Sequence, residues 1–178
     1  MPHRGHLCRH APLLVAALLV VFSFCLQPCS ASPIADWQQQ GKATMRWMGL
    51  KVYDISLWRP ASHRSTSAPF ALELAYAMRF KGRDIAARSI EEMKAQGYAD
   101  TAQLARWERA MVRIFPDVKP GDRLLGVALP GKAARFYAGD RHLGNIEDPA
   151  FVRAFFDIWL SQKTRARQVR AQLLKGDS

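Results

Sequence analysis

All three cysteines of this chain lie within its first 31 residues, so residues 32–178 contain no thiol and cannot form a disulfide. A domain of that length can bury one sizeable core, and apolar packing must hold it together. Beyond residue 31 the histidines are His63 and His142, which fall short of the four ligands of a structural zinc site. We therefore expect a single domain with no metal and no cofactor.

The beginning of the chain has the order of a secretory signal peptide. Two arginines precede an apolar run from Ala11 to Leu26, and residues 29–31 are small enough for signal peptidase cleavage. The run, about 16 residues long, is shorter than the roughly 20 residues of a membrane-spanning helix. We expect residues 1–31 to be removed after Ala31, leaving residues 32–178 as a periplasmic or secreted domain. An uncleaved anchor is the alternative.

The chain is strongly basic, with 26 Lys+Arg against 15 Asp+Glu. Two of the arginines belong to the leader, so residues 32–178 carry a net charge of about +9. The basic residues are spread along the chain and no nucleic-acid-binding motif accompanies them, so we expect no nucleic-acid partner. Arg165, Arg167 and Arg170 face water in our interpretation, although a peripheral contact with an anionic envelope surface is compatible with them.

The hydrophobic periodicity alternates between strands and helices in an α+β order. Asp148-Pro149 is a typical helix start, and the helix that follows is apolar on nearly all sides, which predicts burial. The predicted strands are an antiparallel pair over Gly41–Trp58, a long strand over Phe70–Phe80, and a meander of Arg123–Leu129, Ala133–Ala138 and Arg141–Ile146. The predicted helices are Gly82–Gly97, Asp100–Phe115, Pro149–Leu160 and Arg165–Leu174.

Several short motifs, in order, resemble the bacterial branch of the chalcone isomerase-like family. They cover nearly all of residues 32–178, and the resemblance implies an open-faced β-sandwich in which a large antiparallel sheet is backed by a layer of helices. The motifs are Gly41-Lys42, Gly49-Leu50-Lys51-Val52-Tyr53-Asp54, Leu57-Trp58, Phe70-Ala71-Leu72-Glu73-Leu74, Ile85 to Met93, Phe115-Pro116-Asp117-Val118, Gly121-Asp122-Arg123 and Phe156-Asp157-Ile158-Trp159-Leu160.

The plant enzymes of this family close a flavanone ring with an arginine before the first hairpin, a threonine within it, and a tyrosine and an asparagine on the first helix. Here Ile34–Gln38 contains no arginine, and the hairpin position falls on Trp47 or Met48. Ile85 and Glu92 stand where the tyrosine and asparagine would be. All four roles are unfilled, which argues against chalcone isomerase activity.

Other branches of the same fold bind fatty acids between sheet and helices, which requires an apolar slot and a polar or cationic end. Arg88 is the anchor that we would test first, because it lies in a family-like motif at the middle of the first helix. The alternative for Arg88 is a surface ion series with Asp84 and Glu92 at four-residue spacing. The other candidate ligand-binding residues are Tyr53, Tyr76, Arg46, Met48, Ile85 and Glu92.

The function that these observations favour is non-catalytic binding of a small amphipathic or acidic ligand, similar to a fatty acid, by an exported protein. The resemblance implies that the ligand would lie in the cleft between sheet and helices. Two alternatives remain open. One is an intramolecular lyase or isomerase acting on an enone such as a chalcone. The other is a basic module that interacts with the cell envelope.

Overall fold

The computed structural model describes residues 32–61 and 68–175, and within them six strands and four helices form an α+β fold. The predicted leader, residues 1–31, and His63 lie outside the described residues. The strands are β1 (Trp37–Trp47), β2 (Leu50–Pro60), β3 (Phe70–Tyr76), β4 (Arg123–Leu129), β5 (Ala133–Ala138) and β6 (Arg141–Ile146). The helices are α1 (Gly82–Ala95), α2 (Thr101–Ile114), α3 (Pro149–Leu160) and α4 (Arg167–Leu173).

The six strands form one antiparallel sheet in which every strand lies beside its neighbours in sequence. Helices α1 and α2 connect β3 to β4 along the chain. In the sheet, β4 lies directly beside β3. This arrangement confirms the expected α+β class with a mostly antiparallel sheet.

Apolar side chains from alternate strand positions meet the helices on one face of the sheet. Leu57, Leu72 and Phe136 belong to this core, together with the fully buried Phe151 of α3. A smaller apolar cluster lies on the opposite face, where Ile34 packs against residues of β3 and β4. The main core therefore lies between sheet and helices, as an open-faced sandwich requires.

Several predicted boundaries agree with the structure, and others differ. β1 begins at Trp37 rather than at Gly41. β3 ends at Tyr76 rather than Phe80, because the chain beyond it leaves the sheet and returns only as an isolated bridge between Phe80 and Val118. The last helix begins at Arg167 rather than Arg165. Thr164 explains this shift, since its hydroxyl donates to the Ile158 carbonyl and accepts from the Ala166 N–H, which fixes a turn before the helix.

The C-terminal helix α4 lies along the N-terminal strand β1. A Cβ on Gly41 of β1 would come within 2.0 Å of the carbonyl oxygen of Leu173, so only glycine permits this approach. Leu173 is fully buried in the core. No helix in the described ranges has the length and apolar character needed to span a bilayer.

Candidate ligand-binding cavity

A cavity of about 560 Å³ lies between the helix-covered face of the sheet and helices α1 and α3. Its volume falls in the range of about 300–1,000 Å³ that small-molecule sites occupy. The wall is mostly apolar. The apolar and aromatic residues that line it are Met45, Val52, Leu72, Leu74, Phe80, Ile85, Phe115, Leu124, Leu125, Phe136, Phe155, Ile158 and Trp159.

The mouth of the cavity is marked by the lining residues that are exposed to solvent, namely Asp84, Arg88 and Arg165. Asp84 and Arg88 belong to α1, while Arg165 lies in the turn that precedes α4. Met45 and Val52, from the β1–β2 hairpin, also line the cavity. The mouth therefore lies between α1, the start of α4 and the hairpin.

Arg88 lies at this mouth with its guanidinium already paired to carboxylates. Its Nη1 lies 3.1 Å from Oε2 of Glu91, and its Nη2 also donates to Glu92. The Arg88 side chain is 64 % exposed, whereas that of Glu92 is 14 % exposed. Asp84 contacts Arg83 at 3.5 Å instead of joining the predicted ion series. Arg88 thus lines the cavity and is paired with Glu92 as the ion series predicted, and its role as a ligand anchor stays a prediction.

Arg165 is an exposed cation at the same mouth, and sequence reasoning did not select it as a site residue. No ion pair involves Arg165 among residues 32–61 and 68–175, in contrast to Arg88. Its charge is therefore available to an anionic group. The sequence offers no signal that separates Arg165 from Arg167 and Arg170, because its position depends on the turn made by Thr164.

Two tyrosines place hydroxyl groups in the apolar wall. Tyr53 and Tyr76 face each other on neighbouring strands with ring centroids 5.9 Å apart, and both line the cavity. Trp159 Nε1 donates to the Tyr53 hydroxyl at 3.0 Å. In the hydrogen bonds of the described residues Tyr53 acts as an acceptor, so its own proton is available to a ligand oxygen.

Burial keeps both tyrosines neutral. It raises the pKa of Tyr53 to about 12, although the Trp159 hydrogen bond acts in the opposite direction. Burial also raises the pKa of Tyr76, with the neighbouring Tyr53 as a smaller contribution. The cavity therefore contains neutral hydroxyl donors that suit a polar ligand atom. It does not contain a phenolate at physiological pH.

Two predicted site residues, Arg46 and Met48, do not line the cavity. Arg46 follows a register shift in β1, and its Nη1 donates to the carbonyl of Gly49 at 3.2 Å. Met48 lies in the β1–β2 turn. Both residues extend beyond the strand positions that form the wall. Of the other predictions, Ile85 and Glu92 line the cavity together with Arg88, Tyr53 and Tyr76.

The lining offers binding chemistry more than acid–base chemistry. Asp84, Arg88 and Arg165 lie at the mouth, and the largely buried Glu92 carboxylate is paired with Arg88. The rest of the lining consists of hydroxyls, aromatic rings and aliphatic side chains. The Ser89 hydroxyl donates to the carbonyl of Ile85 within α1. Among the described residues, no three His, Asp or Glu side chains are grouped closely enough to hold a metal ion.

Comparison with known proteins agrees with this architecture. The chain is 31% identical over 146 residues to a Haemophilus influenzae protein described as uncharacterized, covering 82% of this chain and 71% of that protein. The structure resembles the crystal structure of an Arabidopsis thaliana fatty-acid binding protein with a TM-score of 0.61 and 12% sequence identity. That match covers 81% of this chain and 89% of the plant protein. At 12% identity, the likeness to the plant protein shows that the two proteins share a fold.

The sequence profile described as "Chalcone isomerase-like" matches residues 36–175, which include all six strands and all four helices of the described part. The profile, the bacterial relative and the sheet-and-helix architecture agree with one another. The chain belongs to the chalcone isomerase-like family.

Proposed function

We propose that this protein binds, without transforming it, an amphipathic molecule such as a fatty acid. The observation that carries the proposal is the mostly apolar cavity of about 560 Å³, whose exposed charged residues lie at its mouth. An acyl chain gains free energy by leaving water for such a cavity, at about 0.8 kcal/mol for each buried CH₂ group. The fatty-acid-binding plant protein with the same fold supports this choice of ligand.

The charges at the mouth favour one orientation of the ligand. Its carboxylate would lie near the exposed guanidinium of Arg165 at the mouth, and near the Tyr53 hydroxyl. Arg88 would contribute less attraction, because Glu91 and Glu92 already offset its charge. The acyl chain would then extend inward past Leu74 and Phe136.

A displacement assay with a fluorescent fatty acid on delipidated protein tests this proposal. Leu74→Trp places a large ring in the cavity and should abolish binding, whereas Val112→Trp on the exposed side of α2 should leave binding unchanged. Arg165→Gln should weaken binding of a fatty acid by about fivefold, as expected for an exposed ion pair. Binding of the corresponding alcohol should not change.

The outcomes separate the alternatives. Binding that survives in Leu74→Trp would place the ligand elsewhere and contradict the proposal. Turnover of chalcones that is lost in the same variant would instead favour the isomerase alternative. We expect no such turnover, because the cavity offers neutral tyrosines and the largely buried Glu92 carboxylate that lines it is paired with Arg88.

We also propose that the protein acts outside the cytoplasm, after removal of residues 1–31. The order of charged, apolar and small residues at the beginning of the chain supports this location. Cell fractionation and N-terminal sequencing of the mature protein test it. A mature protein beginning at Ser32 is the expected result, and an intact N-terminus in the cytoplasmic fraction would contradict it.

A further inference from the structure

The turn between β1 and β2, residues 47–50, exposes three large apolar side chains. We call these four residues the hairpin tip. Trp47 is 65% exposed, Met48 is 82% exposed and Leu50 is 58% exposed. These three residues are neighbours on one turn, so their exposed surfaces form a single apolar patch. Such a patch on a projecting turn is typical of a site of interaction.

The backbone conformation of the hairpin tip indicates that its apolar side chains were not selected for the stability of the turn. Met48 and Gly49 both have positive φ, at 47° and 81°, as the two central residues of a type I′ turn require. Asn or Gly suits the first of these positions, whereas a long side chain there is strained by roughly 1–2 kcal/mol. Met48 is the sole non-glycine residue with positive φ within the described ranges. An exposed methionine held at a strained position is better explained by what it contacts than by the turn.

The residues around the hairpin tip have a charge that complements an anionic lipid surface. Arg46 precedes the tip and Lys51 follows it, and both are exposed. Lys51 pairs with Asp54, while Arg46 bonds only to a backbone carbonyl among the described residues. Trp favours the polar–apolar boundary of a bilayer, Met and Leu favour its interior, and Arg and Lys favour anionic headgroups. The net charge of about +9 for residues 32–178 adds a long-range attraction of the same sign.

The position of the hairpin tip relates it to the cavity. Met45 and Val52 line the cavity on β1 and β2, and the tip begins two residues beyond each of them. At about 3.4 Å per residue, this places the tip roughly 7 Å beyond the part of the cavity wall that the hairpin forms. A surface that receives the tip would therefore lie close to the cavity.

We propose that the hairpin tip docks the protein on the surface of an anionic phospholipid bilayer and brings the cavity close to that bilayer. Docking follows from the exposure, strain and charge of the tip alone. Its use in loading a lipid into the cavity rests on the proposed function.

Co-sedimentation with phosphatidylcholine vesicles, with and without phosphatidylglycerol, tests the docking. Purified protein should bind the vesicles that contain phosphatidylglycerol and bind pure phosphatidylcholine more weakly. The substitutions Trp47→Ser, Met48→Asn and Leu50→Ser together should reduce binding by roughly tenfold or more. Asn is at home in a type I′ turn, so the triple variant should keep its fold and thermal midpoint.

Val112→Ser is the matched control, since it removes an exposed apolar side chain from α2 and should leave vesicle binding unchanged. Absence of vesicle binding by the unmodified protein would overturn the proposal. Equal binding by the triple variant would overturn it as well. A tip-dependent dimer in light scattering without lipid, combined with no vesicle binding, would assign the tip to a second copy of the chain and also overturn it.

The fatty-acid displacement assay on the same proteins separates this proposal from the proposed function. A triple variant that loses vesicle binding but keeps soluble fatty-acid binding supports docking by the tip. If the unmodified protein binds vesicles but takes up no fatty acid, the docking proposal stands and the proposed fatty-acid function is contradicted.

Discussion

Single side chains at the mouth illustrate what local sequence does and does not determine. The four-residue spacing of Arg88 and Glu92 correctly predicted a pair on α1, because residues at this spacing are neighbours on a helix. The same spacing applied equally to Asp84, which the structure pairs with Arg83. Which carboxylate an arginine pairs with depends on side-chain conformations, and a local sequence pattern does not determine these.

The buried Tyr53 makes the stability of the protein sensitive to alkaline pH. Its pKa is about 12 in the folded protein and about 10 when unfolded, so the unfolded state loses this proton first as pH rises. Its contribution to stability is therefore full below pH 10 and is lost between about pH 10 and pH 12. Tyr53→Phe removes this contribution and leaves the Trp159 N–H without its partner.

We therefore expect Tyr53→Phe to be less stable at pH 8 by about 1–2 kcal/mol. Its further loss of stability between pH 8 and pH 11 should be about 1 kcal/mol smaller than that of the unmodified protein. Urea unfolding followed by far-ultraviolet circular dichroism at both pH values measures the two quantities. Equal losses in the two proteins would show that Tyr53 does not titrate as its burial requires.

At the scale of elements, the bounds of β4, β5, β6 and α3 were predicted as the structure has them. Each is delimited by a local signal, such as Pro130-Gly131, Gly139-Asp140 or Asp148-Pro149, whose backbone preferences act within a few residues. The end of β3 lacks such a signal. Its pairing stops because the Tyr76 N–H donates to the Asp122 carbonyl and Phe80 exchanges backbone hydrogen bonds with Val118, and these contacts exist only in the folded chain.

Asp148 joins helices α2 and α3, and its removal should be costly. Its carboxylate accepts from the N–H groups of Ala150 and Phe151 at the start of α3 and from Trp107 Nε1 of α2 at 2.8 Å. Burial alone would raise the pKa of Asp148, but these three hydrogen bonds outweigh it and hold the pKa below its usual value. The stabilisation is thus present above pH 3.8 and is lost as pH falls below it.

Asp148→Ala should lower the free energy of unfolding by about 2–4 kcal/mol, since it removes a helix cap and leaves a buried indole N–H unpaired. Asp100→Ala is the matched control, because Asp100 caps α2 through one exposed hydrogen bond and should cost about 1 kcal/mol. Denaturant unfolding at neutral pH compares them. Similar losses of unfolding free energy in both variants would mean that the hydrogen bond from Trp107 contributes nothing to stability.

At the scale of the whole molecule, the layered architecture followed from the order of strand and helix patterns and from the family motifs. The cavity did not. Its volume depends on how far α1 and α3 stand from the sheet, which is set jointly by many side chains such as Phe115, Phe136 and Phe155. No local sequence pattern predicts the distance between these helices and the sheet. The position of Arg165 at the mouth is a consequence of the same packing.

A substitution at Leu173 tests how much the packing of α4 against β1 contributes to the stability of the protein. Leu173→Ala removes a fully buried side chain at the contact between α4 and β1 and should cost about 2–5 kcal/mol. Gln172→Ala, at the exposed neighbouring position, should be within about 0.5 kcal/mol of the unmodified protein. Urea unfolding measures stability, and amide hydrogen exchange should show faster exchange in β1 of Leu173→Ala alone. Unchanged exchange in β1 would contradict this role.

The contact between the last helix and the first strand also has a consequence for biosynthesis. A ribosome releases β1 well before α4 has been made, so the strand stays without its covering helix until residue 173 has been translated. The cavity lacks part of its rim throughout that interval, because Arg165 and Ala166 line it and lie just before α4. A nascent chain of this kind therefore stays incompletely folded until α4 has left the ribosome.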